Sequence, residues 1–263
     1  MEGAARKRFS YRLDEKRPEK TSEKILRLER ENYELRSILN STLHEVRLFS
    51  AIISDRSENL SQDTHVSARG KELSENILHA SGMLSARLAY TDIEINPAVV
   101  TKQVRYDAVV YKKFDKSRYL LRPLISDKKL SVDFHGESHM STRALSVFDM
   151  LPFVILQNAV KYSPPGYNVD VYFEEHGYDS LDVRISSYGP PVSDEEMDFL
   201  FDREFRGKNS VGYEGQGLGL NLAKRVCELH QASMKMERGQ FLPVSIGGRA
   251  FQKFDVLVNF EKI

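Results

Sequence analysis

The sequence is short of cysteine, of net charge and of long apolar runs. Its one cysteine, Cys227, permits no internal disulfide and points to a reducing compartment. Cys227 falls in an amphipathic helical pattern, where a small buried thiol is expected rather than a nucleophile. The longest apolar stretch, LPFVIL at 151–156, is far short of the roughly 20 residues that cross a bilayer. Basic and acidic residues balance at 38 each, which argues against a nucleic-acid binder working through bulk electrostatics. The basic stretch at Arg6, Lys7 and Arg8 reads as a solvated tail. The amino terminus has charge but no apolar core, so no secretory signal is visible and a cytoplasmic location is expected. With 263 residues, 41% of them hydrophobic, there is enough apolar material for one or two domains.

Proline is missing from residues 20–92, and Gly70 and Gly82 are the only glycines there. Leu, Ile, Glu, Lys, Arg and Ser fill the rest, a helix-forming mixture. A 4-3 spacing runs through Leu28, Asn32, Leu35, Leu39, Thr42, Val46, Phe49 and Ile53, with six of eight positions apolar. That suits a helix packed along a seam. The polar stretch SDRSENLSQD at 54–63 reads as a connecting loop. Periodicity resumes at Leu73, Ile77, Ala80, Met83 and Leu84 and continues to about Tyr90. Two long helices with a short connection make an antiparallel hairpin. One hairpin cannot bury its own stripe, so two copies should pair as a four-helix bundle, a homodimer.

After Asn96-Pro97 the texture changes. The β-rich runs VDVYF (169–173), LDVRIS (181–186) and FDVLVNF (254–260) are separated by turn residues. Helical patterns lie between them at 144–162, 193–203 and 218–232. The expected class is α+β, with a tail over 1–20, a hairpin over 21–95 and a second domain over 96–263.

Four segments carry chemistry. GQGLGL at 215–220 leads into the helical LNLAKRVCELHQA. Free amides and the dipole at a helix start favour a phosphate, and glycine allows close approach. Neither the dinucleotide fingerprint nor the P-loop fits its spacing. Taken alone, a loop that merely turns a corner fits equally well. In LPFVILQNAVKYSPPG at 151–166, Val154, Asn158 and Lys161 share one helical face, with Tyr162 beside them. An amide and an ammonium there suit a metal–phosphate unit or an ordinary solvated stripe. ISSYGPPVSDEEMDFLFDREFRG at 185–207 ends a strand, starts an acidic helix and then places Arg203, Arg206 and Lys208 near Phe201 and Phe205. A loop carrying cations over a nucleotide has this composition. Finally, LHEVRLFSAII at 43–53 sets His44 opposite the seam, followed by Glu45. It is not the zinc motif HExxH, because Leu48 holds the second histidine position.

In this order the motifs resemble the sensor histidine kinase family across about residues 22–263. HEVRLF looks like its H-box, NAVKYSPPG like its N-box and SSYGPPVSDEE like its G1 segment. DREFRG is similar to its F-box and lid, and GQGLGL to its G2 box. The resemblance implies a dimerisation hairpin followed by a Bergerat-type two-layer α/β sandwich, with helices on one face of a mixed sheet. It implies His44 as phosphoacceptor and Glu45 as general base. It assigns Asn158 to Mg²⁺ and to ATP, with Lys161, Tyr162, Ser187, Gly189, Arg206, Gly215, Gly217, Leu218 and Gly219 as further ATP contacts.

The implied reaction is autophosphorylation from ATP, then transfer to an aspartate on a response-regulator receiver domain. About 20 residues precede the first helix, so input is expected from a separate sensor protein or from the bundle itself. Departures from the family pattern are Ser187 for a G1 aspartate that accepts from adenine, Pro191 for a G1 glycine, Val154 for an N-box Asn or Glu, and Phe49 for an H-box proline. A hydroxyl in place of a carboxylate acceptor costs about 1–3 kcal/mol, or about ten- to over a hundredfold in affinity. Weakened ATP binding is therefore expected. These same departures fit an alternative, a dimeric pseudokinase or phosphotransfer scaffold with a degenerate ATP site. An ATPase of the chaperone or topoisomerase type fits the hairpin poorly.

Overall fold

The computed structural model describes residues 16–177, 179–213 and 216–261. By contacts the chain divides into two units, Met1–Ile52 and Ile53–Ile263. The division falls within α1, which runs Lys16–Gln62. In the first unit the apolar stripe of α1 stays open to solvent: Leu28, Leu35, Leu39 and Phe49 are all exposed.

The second unit begins with the last turns of α1 and with α2 (Ala68–Ile95). The segment expected as a loop at 54–63 is helical through Gln62, and the connection is residues 63–67. Its residues include neither glycine nor proline, so the helix continues through them, with Ser57 buried against α2. Ser67 caps α2 by accepting the Gly70 N–H at 3.1 Å. Ser54 Oγ meets Ser81 Oγ at 3.0 Å, and Ser74 donates to the Ser57 carbonyl. Going up one helix matches going down the other, so these turns are antiparallel.

Beyond α2 the order is β1 (Tyr106–Val109), α3 (Val110–Leu120), α4 (Arg122–Asp127), β2 (Ser131–His135) and β3 (Ser141–Ala144). Then follow α5 (Met150–Tyr162), β4 (Asn168–His176), β5 (Ser180–Gly189), α6 (Asp194–Met197), α7 (Gly219–Leu229), β6 (Ser233–Phe241) and β7 (Gln252–Glu261). The main sheet has order β2-β4-β5-β7-β6, parallel only between β2 and β4, and β1 pairs with β3 as a small antiparallel ribbon. Helices cover one face of the sheet, making the α/β sandwich. The helical pattern at 193–203 closes after a single turn at Met197, and the rest lies in turns.

Period-two burial explains the core. Val169, Val171 and Phe173 of β4, Leu181, Val183 and Ile185 of β5, and Val256, Val258 and Phe260 of β7 all point under the helices. Leu151, Ile155, Leu156 and Val160 of α5 and Leu222, Ala223 and Val226 of α7 face them. Each such side chain contributes about 1.5–3 kcal/mol on burial. Met83, Ala86, Tyr90 and Ile93 of α2 belong to the same core. Among the described residues, no helix is long and apolar enough to cross a membrane.

Candidate functional site

The helix layer and the sheet part near the carboxyl end of β5 and leave a cavity of about 140 Å³. Its floor is Ser187 of β5, Phe254 and Val256 of β7 and Met236 of β6. Alternation along β5 turns Ser187 to the side of Val183 and Ile185, toward the helices. Ile155, Asn158, Ala159 and Tyr162 of α5 and Leu220 of α7 form the opposite wall, and Pro190, Pro191, Phe205 and Arg206 close the side.

Helix α5 brings its polar residues to this wall because its ends are well held. Pro152 sits in the first turn, where a missing N–H costs nothing. At the other end Lys128 Nζ donates to the carbonyls of Val160 and Lys161, both at 2.8 Å, and to that of Ser163. A cation on the last carbonyls suits a helix C-terminus, although burial lowers the Lys128 pKa. Ser163 is buried and its hydroxyl donates to the Tyr188 carbonyl at 3.1 Å, tying the end of α5 to β5. Lys161 Nζ lies 3.1 Å from Tyr162 Oη, and the Tyr162 ring packs on Tyr213 at 5.0 Å between centroids.

Helix α7 starts at Gly219 with no side-chain cap from Leu218, so its first amides have no side-chain acceptor. A Cβ on Gly219 would stand 3.1 Å from Asn158 Nδ2 and 3.2 Å from Val154 Cγ1. The start of α7 is therefore packed directly on the polar face of α5. Gly217 has φ +72, and a Cβ there would meet the Phe205 carbonyl oxygen at 2.4 Å. Its own carbonyl accepts the Glu204 N–H at 3.1 Å, and Asn221 Nδ2 donates to the Phe201 carbonyl at 2.9 Å. Two backbone segments, 201–205 and 217–221, are thus laced together.

Two of the loop's cations, Arg206 and Arg203, are engaged. Arg206 donates to the carbonyls of Ser210 (3.1 Å) and Tyr213 (2.6 Å), and Arg203 pairs with Glu94 at 3.5 Å. Buried Glu196, part of a capping box with Ser193, accepts the Lys208 N–H at 2.7 Å. These backbone hydrogen bonds from Lys208 and Ser193 hold the Glu196 carboxyl below its usual pKa.

Of the residues singled out from sequence, Asn158, Tyr162, Ser187, Gly189 and Arg206 line one cavity. Gly217 and Gly219 touch that wall through Phe205 and Asn158, Leu218 lies between them, and Lys161 reaches Tyr162. Gly215 lies outside the described residues, as does the side chain of Glu45. His44 is exposed on α1, in the first unit. Sequence reading missed Lys128, Ser163 and Glu196, which hold the cavity walls without lining them. No local pattern marks Lys128, because its partners are some 30 residues away.

Residues 153–252 match the family described as histidine kinase-, DNA gyrase B-, and HSP90-like ATPase. The chain is 34% identical over 85 residues to the sensor protein kinase PmrB of Pseudomonas aeruginosa, covering 32% of this chain and 18% of that protein. It is 34% identical over 76 residues to the adaptive-response sensory kinase SasA of Gloeothece citriformis, covering 29% and 19%. A solved mycobacterial sensor histidine kinase, MprB, aligns at 22% identity and TM-score 0.48, over 60% of this chain and 97% of that one. The matched part spans about a fifth of the length of the first two relatives. The chain therefore carries an ATPase domain of the histidine kinase-, DNA gyrase B- and HSP90-like kind, preceded in sequence by a helical hairpin.

Proposed function

We propose that this chain is a cytoplasmic histidine protein kinase of the two-component type, phosphorylating His44 from ATP. The observation that carries the reading is the convergence of Asn158, Ser187, the lid segment and the uncapped start of α7 on one cavity of an ATPase-family domain. An apolar slot of that size suits a flat heteroaromatic base, and the free amides of α7 suit its phosphates. In the reaction an imidazole nitrogen of His44 attacks the γ-phosphorus, the bond to the β–γ bridging oxygen breaks, and ADP leaves. Glu45 takes the proton lost by the imidazole. An aspartate of a response-regulator receiver domain then accepts the phosphoryl group, and a separate sensor protein supplies the input. The same proposal assigns the hairpin to residues 21–95 and the ATPase domain to 96–263.

Among the described residues, no group of three or more His, Cys, Asp or Glu could hold a metal ion. A Mg²⁺ ion would therefore arrive on the nucleotide, with the Asn158 amide oxygen as the protein ligand and phosphates and water supplying the others. When bound, it neutralises charge on the β- and γ-phosphates. Lys161, held against Tyr162, and Arg206 add positive charge around the same region.

Incubation with γ-labelled ATP tests the reading. Wild type should take up acid-labile label, His44→Ala should take up none while still binding ATP, and Glu45→Gln should label far more slowly. Label in His44→Ala equal to wild type would sink the assignment. Val154 buried against Gly219, where an acidic residue is absent, favours a second reading as a phosphotransfer scaffold. That reading gains if nothing labels from ATP while a phosphorylated receiver donates to His44.

A further inference from the structure

The cavity contains hydroxyls, an amide, the Arg206 guanidinium and apolar surface but, among its described lining residues, no aspartate or glutamate. On the sheet side Ser187 stands directly opposite Phe254 on the neighbouring strand, with Tyr188 next to it in the chain. From this we infer that the base pocket discriminates poorly between adenine and guanine, so that the chain uses GTP as well as ATP. The inference rests on the nucleotide-binding reading above and concerns what that site selects.

The physical argument is one of donors and acceptors. Adenine presents an exocyclic amine, a donor, at the ring position where guanine presents a carbonyl oxygen, an acceptor. A carboxylate at the pocket floor accepts from the amine with charge assistance and repels the carbonyl oxygen. Such a site selects adenine by leaving a charged group unpaired against the wrong base. A serine hydroxyl is both donor and acceptor and turns about its Cβ–Oγ bond to suit either partner. The other polar lining side chains, Asn158, Tyr162, Tyr188, Arg206 and Ser210, include no carboxylate to select the adenine amine, and Arg206 already donates to two backbone carbonyls. Ile155, Ala159, Leu200, Leu220, Met236 and Val256 present carbon, and every purine has the same face to lay against it.

The strand geometry makes Ser187 the determinant rather than a bystander. Strand β5 is paired with β7 on through Gly189, so Ser187 opposite Phe254 is held within a continuous ladder. The adjoining Ser186 hydroxyl is engaged with Asp255, a carboxylate on the other face of the sheet. That acid is thereby kept out of the pocket, and the hydroxyl of Ser187 is what a base edge meets.

Calorimetric titration of the purified full chain with Mg²⁺-ATP and Mg²⁺-GTP tests this. Wild type should bind the two within about tenfold of each other, which corresponds to about 1.4 kcal/mol. Ser187→Asp should widen the ratio in favour of ATP by tenfold or more, mainly through lost GTP affinity. Ser187→Ala, a milder change should the aspartate variant fold poorly, should weaken both nucleotides by similar factors. A wild-type preference for ATP above a hundredfold, or an unchanged ratio in Ser187→Asp, overturns the inference while leaving an ATP site. Failure of both nucleotides to bind at millimolar concentration overturns the nucleotide-site reading itself, and the inference with it.

Discussion

His230, at the end of α7, is buried with both ring nitrogens satisfied: Nδ1 faces the Val226 carbonyl at 2.6 Å and Nε2 accepts the Leu145 N–H at 3.0 Å. This arrangement needs the neutral ring. Burial, with Arg105 nearby, lowers its pKa from 6.5 to about 4. The unfolded chain therefore takes up a proton that the folded chain refuses as pH falls from about 6.5 toward 4. Stability is fully present above that window and declines within it, by up to about 1.4 kcal/mol per pH unit. Urea midpoints at pH 7, 5.5 and 4.5 should fall in wild type, and His230→Gln should show a smaller slope from a lower starting point. Equal slopes would refute the assignment. Cys227, one turn back, is pushed up to about 12 by burial, as suits a packing thiol. Gly217 is constrained by geometry rather than charge. Its positive φ and the 2.4 Å approach to the Phe205 carbonyl leave no room for a methyl group. Gly217→Ala should cost about 1–2 kcal/mol from backbone conformation alone, with more from displaced backbone. A thermal melt and an ATP titration should both worsen, and an unchanged melt would count against the close contact.

Among elements, α5 holds the cavity together. Its carboxyl end is secured by one ammonium donating to three carbonyls and by one serine reaching β5. Lys128→Met keeps the length of the side chain and removes the donors. The change should lower stability by about 1–3 kcal/mol, the cost of leaving buried acceptors unmet. It should also weaken ATP binding, because Tyr162 and Ser163 follow the last turn of α5. Unfolding in urea, beside calorimetry, measures both, and a variant as stable as wild type would show the cap to be dispensable. Helix α1 illustrates a different rule. Its 54–62 segment is polar yet helical, since nothing in it breaks a helix and α2 lies alongside. Polar composition did not mark the end of that helix, because Ser54 and Ser57 hydrogen-bond to α2.

For the whole molecule, the exposed stripe of Leu28, Leu35, Leu39 and Phe49 is too apolar to be left in water along a helix of 47 residues. Pairing of two chains through the hairpin into a four-helix bundle would cover it. Sedimentation should give a dimer at micromolar concentration, and Leu39→Asp should give a monomer whose ATPase domain still binds nucleotide. A wild-type monomer of 30.2 kDa would refute the bundle.

Local pattern alone was enough for the long helices, the strands β4, β5 and β7, the buried thiol and the G2 helix start. In each, a single period or a glycine cluster recurs over enough residues to stand out. The hairpin turn, the one-turn α6, the strands β1, β2, β3 and β6, and the short helices α3 and α4 were decided only by tertiary structure. Those segments are brief or polar, and pairing with distant chain stabilises them. The candidate site divides in the same way. Asn158, Gly217 and Gly219 were visible as members of short motifs, and Ser187 as a departure from one. The roles of Lys128, Ser163 and Glu196 depend on contacts across many residues. A carbonyl or a cavity wall leaves no mark on the sequence of the group that meets it.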